Sequence, residues 1–152
     1  MSIFSNRKPE DYMIIVGCGR LGANLANSLS DEGGNVLIMD SDQSSFRRLS
    51  ESFGGLAVVG DGTDFDALQD AQIGKASVVV AVTNKDNTNI MVAQIARDVF
   101  HVKKVIARLY DPERECVYRE FGINTICPTA LSTQEIDKLL DRAETRRTEA
   151  VS

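Results

Sequence analysis

Six short apolar runs punctuate the chain: YMIIVG (12–17), NVLIMD (35–40), LAVVG (56–60), SVVVAVT (77–83), KVIARL (104–109) and NTICP (124–128). Runs this short and this rich in β-branched residues read as strands buried on both faces. Segments of helical period lie between them. Leu21, Leu25 and Leu29 recur every fourth residue, with Ala23 and Ala26 beside them, and Phe46, Leu49 and Phe53 repeat the spacing in a second helix. Asp64–Ala71, Asn87–Val99 and Pro112–Phe121 supply three more. Strand and helix alternating through six strands predict an α/β fold. It is a Rossmann-like, doubly wound, parallel six-stranded sheet, because right-handed crossovers put helices on both faces.

Punctuation marks the boundaries. Gly33-Gly34 and Gly54-Gly55 turn the chain into strands two and three, and Gly122 closes the helix before strand six. Thr63 stands where a helix N-cap belongs, Asp111-Pro112 reads as a cap followed by proline at the first helical position, and Pro128 ends strand six. A C-terminal amphipathic helix follows, over 132–148, starting at Ser132 or Thr133 with Ile136, Leu139, Leu140 and Ala143 on one face. Such a stripe must lie on something, either its own sheet or a second subunit. The domain is therefore expected over 12–131, after a polar extension over 1–11, with the last half-dozen residues frayed.

Composition narrows the function. A net charge of −5 and a pI near 4.9 argue against nucleic acid, which calls for a basic face. No apolar run approaches the ~18 residues of a membrane span. Three cysteines (Cys18, Cys116, Cys127) and one histidine, His101, make neither a disulfide framework nor a zinc site. The expectation is a soluble protein of the reducing cytoplasm, with Cys116 and Cys127 as small packing residues and His101 at a helix end.

The chemistry concentrates in IIVGCGRLGANLANSLSDEGGNVLIMD, residues 14–40, which carries G-x-G-x-x-G at Gly17, Gly19 and Gly22. The motif follows a strand and opens a helix inside a βαβ unit. Gly17 allows the tight turn, Gly19 lets a phosphate approach the backbone, and Gly22 lets the helix pack close to the strand. The helix N-terminus offers unpaired N–H groups and about half a positive charge. Asp40 closes strand two, where a carboxylate accepts hydrogen bonds from an adenosine ribose. It repels a 2′-phosphate, and Ser41 and Asp42 follow rather than arginine, so NADP is disfavoured. The ligand is expected to be NAD(H), ATP, ADP or AMP.

Arg20, inside the loop, can fork onto phosphate oxygens. Asp61, in VVGDGTD, either accepts from the adenine amino group or simply turns the chain. Thr83 and Asn84 lie at the exit of strand four, where open α/β sheets bind ligands, and Asp86 or Asn87 is placed to cap the next helix. Lys75, Lys85 and Arg108 lie near strand ends, in directions the sequence leaves open. Cys18 reads as a small turn residue, or as a thiol whose pKa falls at a helix N-terminus. Nothing resembling a Tyr-x-x-x-Lys pair, a P-loop or a substrate domain accompanies the cradle. A nucleotide cradle without catalytic equipment suggests a sensor; the alternative is a small NAD-dependent oxidoreductase, or the cofactor-binding half of one.

Together the glycine loop with its arginine, the Asp closing strand two, G-D-G-T (60–63), A-x-T-x-x-D-x-x-N (81–89) and R-x-x-D-P (108–112) resemble the N-terminal domain of the RCK family, the regulators of K⁺ conductance with TrkA- and KtrA-like members. The likeness covers Tyr12 to Glu135. It implies a non-enzymatic, cytoplasmic subunit that gates a potassium uptake transporter or channel, held at the inner face of the membrane through that partner. It further implies an adenosine nucleotide in the crevice and a homodimer or ring built through the last helix. By analogy Gly17, Gly19, Arg20 and Gly22 hold phosphates, Asp40 the ribose, and Asp61 and Thr83 surround the adenosine. Cys18, Leu21, Ser41, Gly62, Thr63, Asn84 and Arg108 complete the expected binding set. Two departures stand out. Thr129 occupies the position after the strand-six proline where family members often carry an acid, which leaves NAD(H), AMP or ADP favoured over ATP. The chain also stops before the smaller regulatory domain usual in the family.

Overall fold

The computed structural model of the chain describes residues 11–151, with side chains through residue 142. Residues 1–10 of the expected extension and the side chain of Ala143 lie outside the described residues. The strands are β1 (Tyr12–Val16), β2 (Asn35–Asp40), β3 (Leu56–Val59), β4 (Val78–Ala81), β5 (Lys104–Arg108) and β6 (Asn124–Ile126). The helices are α1 (Arg20–Asp31), α2 (Phe65–Asp70), α3 (Asp86–Gln94), α4 (Glu115–Glu120) and α5 (Pro128–Val151). The sheet is parallel throughout, in the order β3-β2-β1-β4-β5-β6. Val16, the last residue of β1, pairs with Met39 of β2 on one side and Ala81 of β4 on the other. The winding reverses there, and a crevice opens at the carboxyl ends of the strands.

Alternation along the strands divides the core into two layers. Met13 and Ile15 of β1, with Val36, Ile38, Val80 and Val82, pack against Ala23, Ala26 and Leu29 of α1. Ile14 and Val16, with Leu37, Met39, Val79 and Ala81, pack with Leu68 of α2 and Ile90, Val92 and Ala93 of α3. Ile14 and Ile15 are wholly buried, each worth roughly 1.5–3 kcal/mol of transfer free energy.

The structure departs from the sequence reading in four places. The second predicted helix is only a 3₁₀ turn, Gln43–Arg48, although Phe46, Leu49 and Phe53 do pack on the α1 layer. Asn27 of α1 explains this. Its side chain donates to the Arg48 carbonyl (3.4 Å) and accepts from Ser50 N (2.9 Å), taking backbone groups that a continuing helix needs. Second, the last helix begins at Pro128, not Ser132, and its backbone stays helical to Val151. Proline is favoured at a first helical position because its missing N–H would be unpaired there anyway. Third, α2 is capped by Asp64, whose carboxylate accepts from Asp66 N, and not by Thr63. Fourth, Cys116 is exposed rather than packed, while Cys127 is buried.

Two further elements end differently from their predicted spans. α3 passes into a π turn, Ile95–Val99, and α4 is preceded by a 3₁₀ turn, Pro112–Arg114, capped by Asp111 as expected. Among the described residues, no helix is long and apolar enough to cross a membrane. The stripe on α5 is not covered by its own sheet: Leu131, Ile136, Leu139 and Leu140 are 51–59% exposed.

Candidate functional site

A cleft of about 780 Å³ lies over the carboxyl ends of β1, β2, β3, β4 and β5. Of the residues singled out from sequence, Gly17, Cys18, Gly19, Arg20, Asp40, Ser41, Asp61, Gly62, Thr83, Asn84 and Arg108 line it. Leu21, Gly22 and Thr63 do not. Leu21 packs on the α1 layer, and Thr63 bonds to Asp61 behind the wall. Another hollow, of about 460 Å³, lies by Arg97, His101 and Lys103 and contains none of these residues.

The three loop glycines do three different things. Gly17 has φ +110°, and a Cβ there would come within 2.8 Å of Thr83 N and the Val82 carbonyl. A Cβ at Gly22 would overlap the Gly17 carbonyl oxygen, so α1 can start this close to β1 only with glycine. A Cβ at Gly19 would meet nothing within 4 Å, so the cleft is open above it. Arg20 opens α1 and is exposed at the mouth.

Asp40 does more than face the crevice. Its Oδ2 accepts from Cys18 N (2.7 Å) and its Oδ1 from Asp42 N (2.8 Å). The carboxylate therefore ties the glycine loop to the 3₁₀ turn after β2. Each oxygen keeps lone-pair capacity for a ligand hydroxyl. Arg48 returns to the cleft from that turn, its Nη1 3.5 Å from the Cys18 carbonyl. Cys18 is buried, with its Sγ 3.4 Å from the Ser45 carbonyl. Burial, and then the Asp40 carboxylate, push its thiol pKa up against the smaller pull of Arg48. Of the two sequence readings of Cys18, the structure bears out a small buried turn residue, and its thiol pKa is shifted up by burial rather than down.

At the β3 exit, Asp61 Oδ1 accepts from Thr63 N (2.8 Å) and Thr63 Oγ1 (2.7 Å), bonds that hold its carboxyl below the ordinary range. Asp61 turns the chain, as one of its two sequence readings has it, and also lines the cleft.

The β4 exit is braced from behind by Asn89, which is completely buried. Its Oδ1 accepts from Thr83 N (2.8 Å) and Thr83 Oγ1 (2.7 Å); its Nδ2 donates to the carbonyls of Thr83 (3.0 Å) and Arg108 (2.9 Å). Arg108 Nη2 donates to the carbonyls of Val82 (3.0 Å) and Thr83 (2.9 Å), and its guanidinium lies 5.0 Å from the Tyr110 ring centroid. Its Nε is buried without a protein partner. Asp86 does not cap α3. It accepts instead from Tyr110 N (2.9 Å) and Asp111 N (3.3 Å), pinning the β5 exit. Lys85 lines the cleft, whereas Lys75 precedes β4 at the opposite edge of the sheet.

Sequence reasoning missed Asp42, Ser45, Arg48, Thr88 and Tyr110 as lining residues. Arg48 gave no signal, because a continuous helix was expected there. Asn89 closes the A-x-T-x-x-D-x-x-N stretch, and that pattern could have flagged its role. The lining acids Asp40, Asp42 and Asp61 sit at the β2–β3 end, with Arg48 among them, while Arg20, Lys85 and Arg108 flank the β1, β4 and β5 ends.

Residues 13–129 match the TrkA-N domain family. The Trk system potassium uptake protein TrkA of Streptomyces coelicolor is 47% identical over 115 residues, which are 76% of this chain and 52% of that protein. The TrkA homolog of Methanothermobacter thermautotrophicus is 31% identical over 132 residues, 86% of this chain and 61% of that protein. The chain thus spans about half the length of the curated relatives it matches. Among solved structures, the GsuK RCK domain superposes with a TM-score of 0.75 at 26% identity, covering 93% of this chain and 30% of that one. The GsuK channel bound to NAD gives a TM-score of 0.75 at 25% identity, covering 92% and 25%. With a glycine cradle, an acid at the end of β2 and a family match across nearly the whole sheet, the chain belongs to the TrkA-N domain family.

Proposed function

We propose that this chain is the nucleotide-sensing module of a potassium-uptake regulator, working in the cytoplasm against a membrane transporter subunit. The carrying observation is the layout of the cleft: a bare Gly19 beside Arg20 for phosphates, and next to it the Asp40 carboxylate, bonded to Cys18 N, for a ribose. The names of the TrkA relatives and of the NAD-bound GsuK channel support this reading, as does the fold they share with the chain. The ligand is an adenosine nucleotide with a free 2′-hydroxyl, NAD(H), ADP or AMP before ATP. The sites proposed are Gly17, Gly19 and Arg20 for phosphate and Asp40 for ribose, with Asp61 and Thr83 nearby; Gly22 keeps only its packing role against Gly17. The domain spans 12–127, and α5 pairs two copies through Leu131, Ile136, Leu139 and Leu140, apolar residues that the single chain leaves exposed.

The role is regulatory rather than enzymatic. A nucleotide that binds one arrangement of the paired domains tenfold better than another biases the partner by about 1.4 kcal/mol. Calorimetry with AMP, ADP and NAD tests the core of the proposal. Wild-type protein is expected to bind, and Asp40→Ala to bind at least roughly tenfold more weakly, as loss of charged hydrogen bonds requires. Unchanged affinity in a folded Asp40→Ala protein would count against the ribose assignment. Hydride transfer to small keto compounds, followed at the NADH absorption band, would favour the oxidoreductase alternative instead.

A further inference from the structure

We propose that Arg48 is the platform on which the purine base lies. The inference rests on the reading of the cleft as an adenosine-nucleotide site and adds a residue for which the sequence carried no signal. A base attached to a ribose at Asp40 needs a flat surface at the β2–β3 end of the cleft. Tyr110, the only aromatic residue lining the cleft among the described residues, is at the other end, its ring against Arg108. At the β2–β3 end, Arg48 carries the only guanidinium among the lining residues, and no aromatic ring lines that end.

One long hydrogen bond restrains this exposed side chain. Arg48 Nη1 reaches the Cys18 carbonyl, and Cys18 N donates to Asp40 Oδ2. The guanidinium and the ribose acceptor therefore both bond to the backbone of Cys18. Across the slot, the β3 exit lines the cleft with Gly60 and Gly62, and a Cβ at either would face core atoms of Met39, Val16 or Val92 rather than the cleft. A planar cation tethered at one edge has lost part of its rotamer freedom before the ligand arrives, and guanidinium planes stack on π-systems.

Stacking and simple charge attraction make different predictions. Stacking needs the plane, so Arg48→Lys, which keeps the charge, loses nearly as much affinity as Arg48→Ala. Stacking also acts on the part common to all three ligands. Calorimetry should therefore show a loss of roughly tenfold in both variants for AMP, ADP and NAD alike. Arg20→Ala serves as the contrast, with a loss that grows from AMP to ADP. A nuclear Overhauser contact between the adenine H2 or H8 proton and the Arg48 side chain is the direct readout in wild-type protein. Wild-type affinity in Arg48→Lys, or a loss in the Arg48 variants that scales with phosphate number, would overturn the platform and leave the nucleotide site standing. Failure of the wild type to bind any of the three would overturn the site and the platform together.

Discussion

The two walls of the cleft are built by opposite strategies. The wall at the β4 and β5 exits is held from inside the protein. Asn89 is fully buried and bonds to Thr83 three times and to the Arg108 carbonyl once, while Arg108 reaches back to the carbonyls of Val82 and Thr83. The wall at the β2 and β3 exits is held from the cleft side, by Asp40 on Cys18 N and Asp42 N, over a 3₁₀ turn with no buried residue. Beyond it, the edge strand β3 leaves Leu56 and Val59 more than half exposed. A ligand replaces nothing in the first wall. In the second it meets a carboxylate that is also a brace. The lesson is that the β4–β5 wall is scaffold, whereas the β2–β3 wall is where binding can change structure.

The sharpest way to break this contrast is Asn89→Ala. It takes the Asn89 bond from the Arg108 carbonyl and the Thr83 amide, while the Thr83 carbonyl keeps Arg108 Nη2, and should cost about 3 kcal/mol, or roughly 6–12 °C in melting temperature. Asp40→Asn should cost less, about 1–2 kcal/mol, because the wall it braces is partly exposed and water can replace the lost bond. Thermal melts of the two variants side by side decide the matter. A larger loss at Asp40 than at Asn89 would reverse the assignment of scaffold and responsive wall. Thr83→Val should fall lower still, near 1 kcal/mol, since the backbone N–H of Thr83 keeps its bond to Asn89.

The pH limits of stability probe the β2–β3 side of the cleft from both directions. Burial raises the Cys18 thiol above its ordinary value of 9.0. The folded thiol stays protonated where the unfolded one ionises, so this part of the stability is intact below pH 9.0 and is lost as pH rises toward the raised value. Asp61 works in the other direction. Its carboxyl is lowered from 3.8, so its contribution is present above pH 3.8 and fades as pH falls through the lowered value. Urea titrations at stepped pH should show the alkaline loss shrink in Cys18→Ala. The smallest effect expected is kinetic. Iodoacetamide should label the exposed Cys116 before the buried Cys18 and Cys127, by mass spectrometry of the intact protein.

The contrast also marks what could be read in advance. Strand positions, the parallel sheet and the glycine loop were legible because they rest on local chemistry: β-branched runs, and a Gly22 whose Cβ would collide with the Gly17 carbonyl. The cleft's β2–β3 wall was not. The helical spacing of Phe46, Leu49 and Phe53 is real burial, but Asn27, more than twenty residues away in the chain, captures the backbone and stops the helix. That long-range competition carried Arg48 into the cleft unseen. Pro128 was misplaced for a simpler reason, since proline can end one element or begin the next, and local pattern does not distinguish them.

The brace at Asn89 has a consequence for how the domain comes into being. It joins the exits of β4 and β5, and through Arg108 it waits for a segment nineteen residues downstream. During synthesis the glycine loop and Asp40 emerge first and can already form a half-site. The β5 side of the cleft exists only once Arg108 has left the ribosome and β5 has docked. On the function proposed above, ligand present in the cell would reward completion of the sheet without nucleating it.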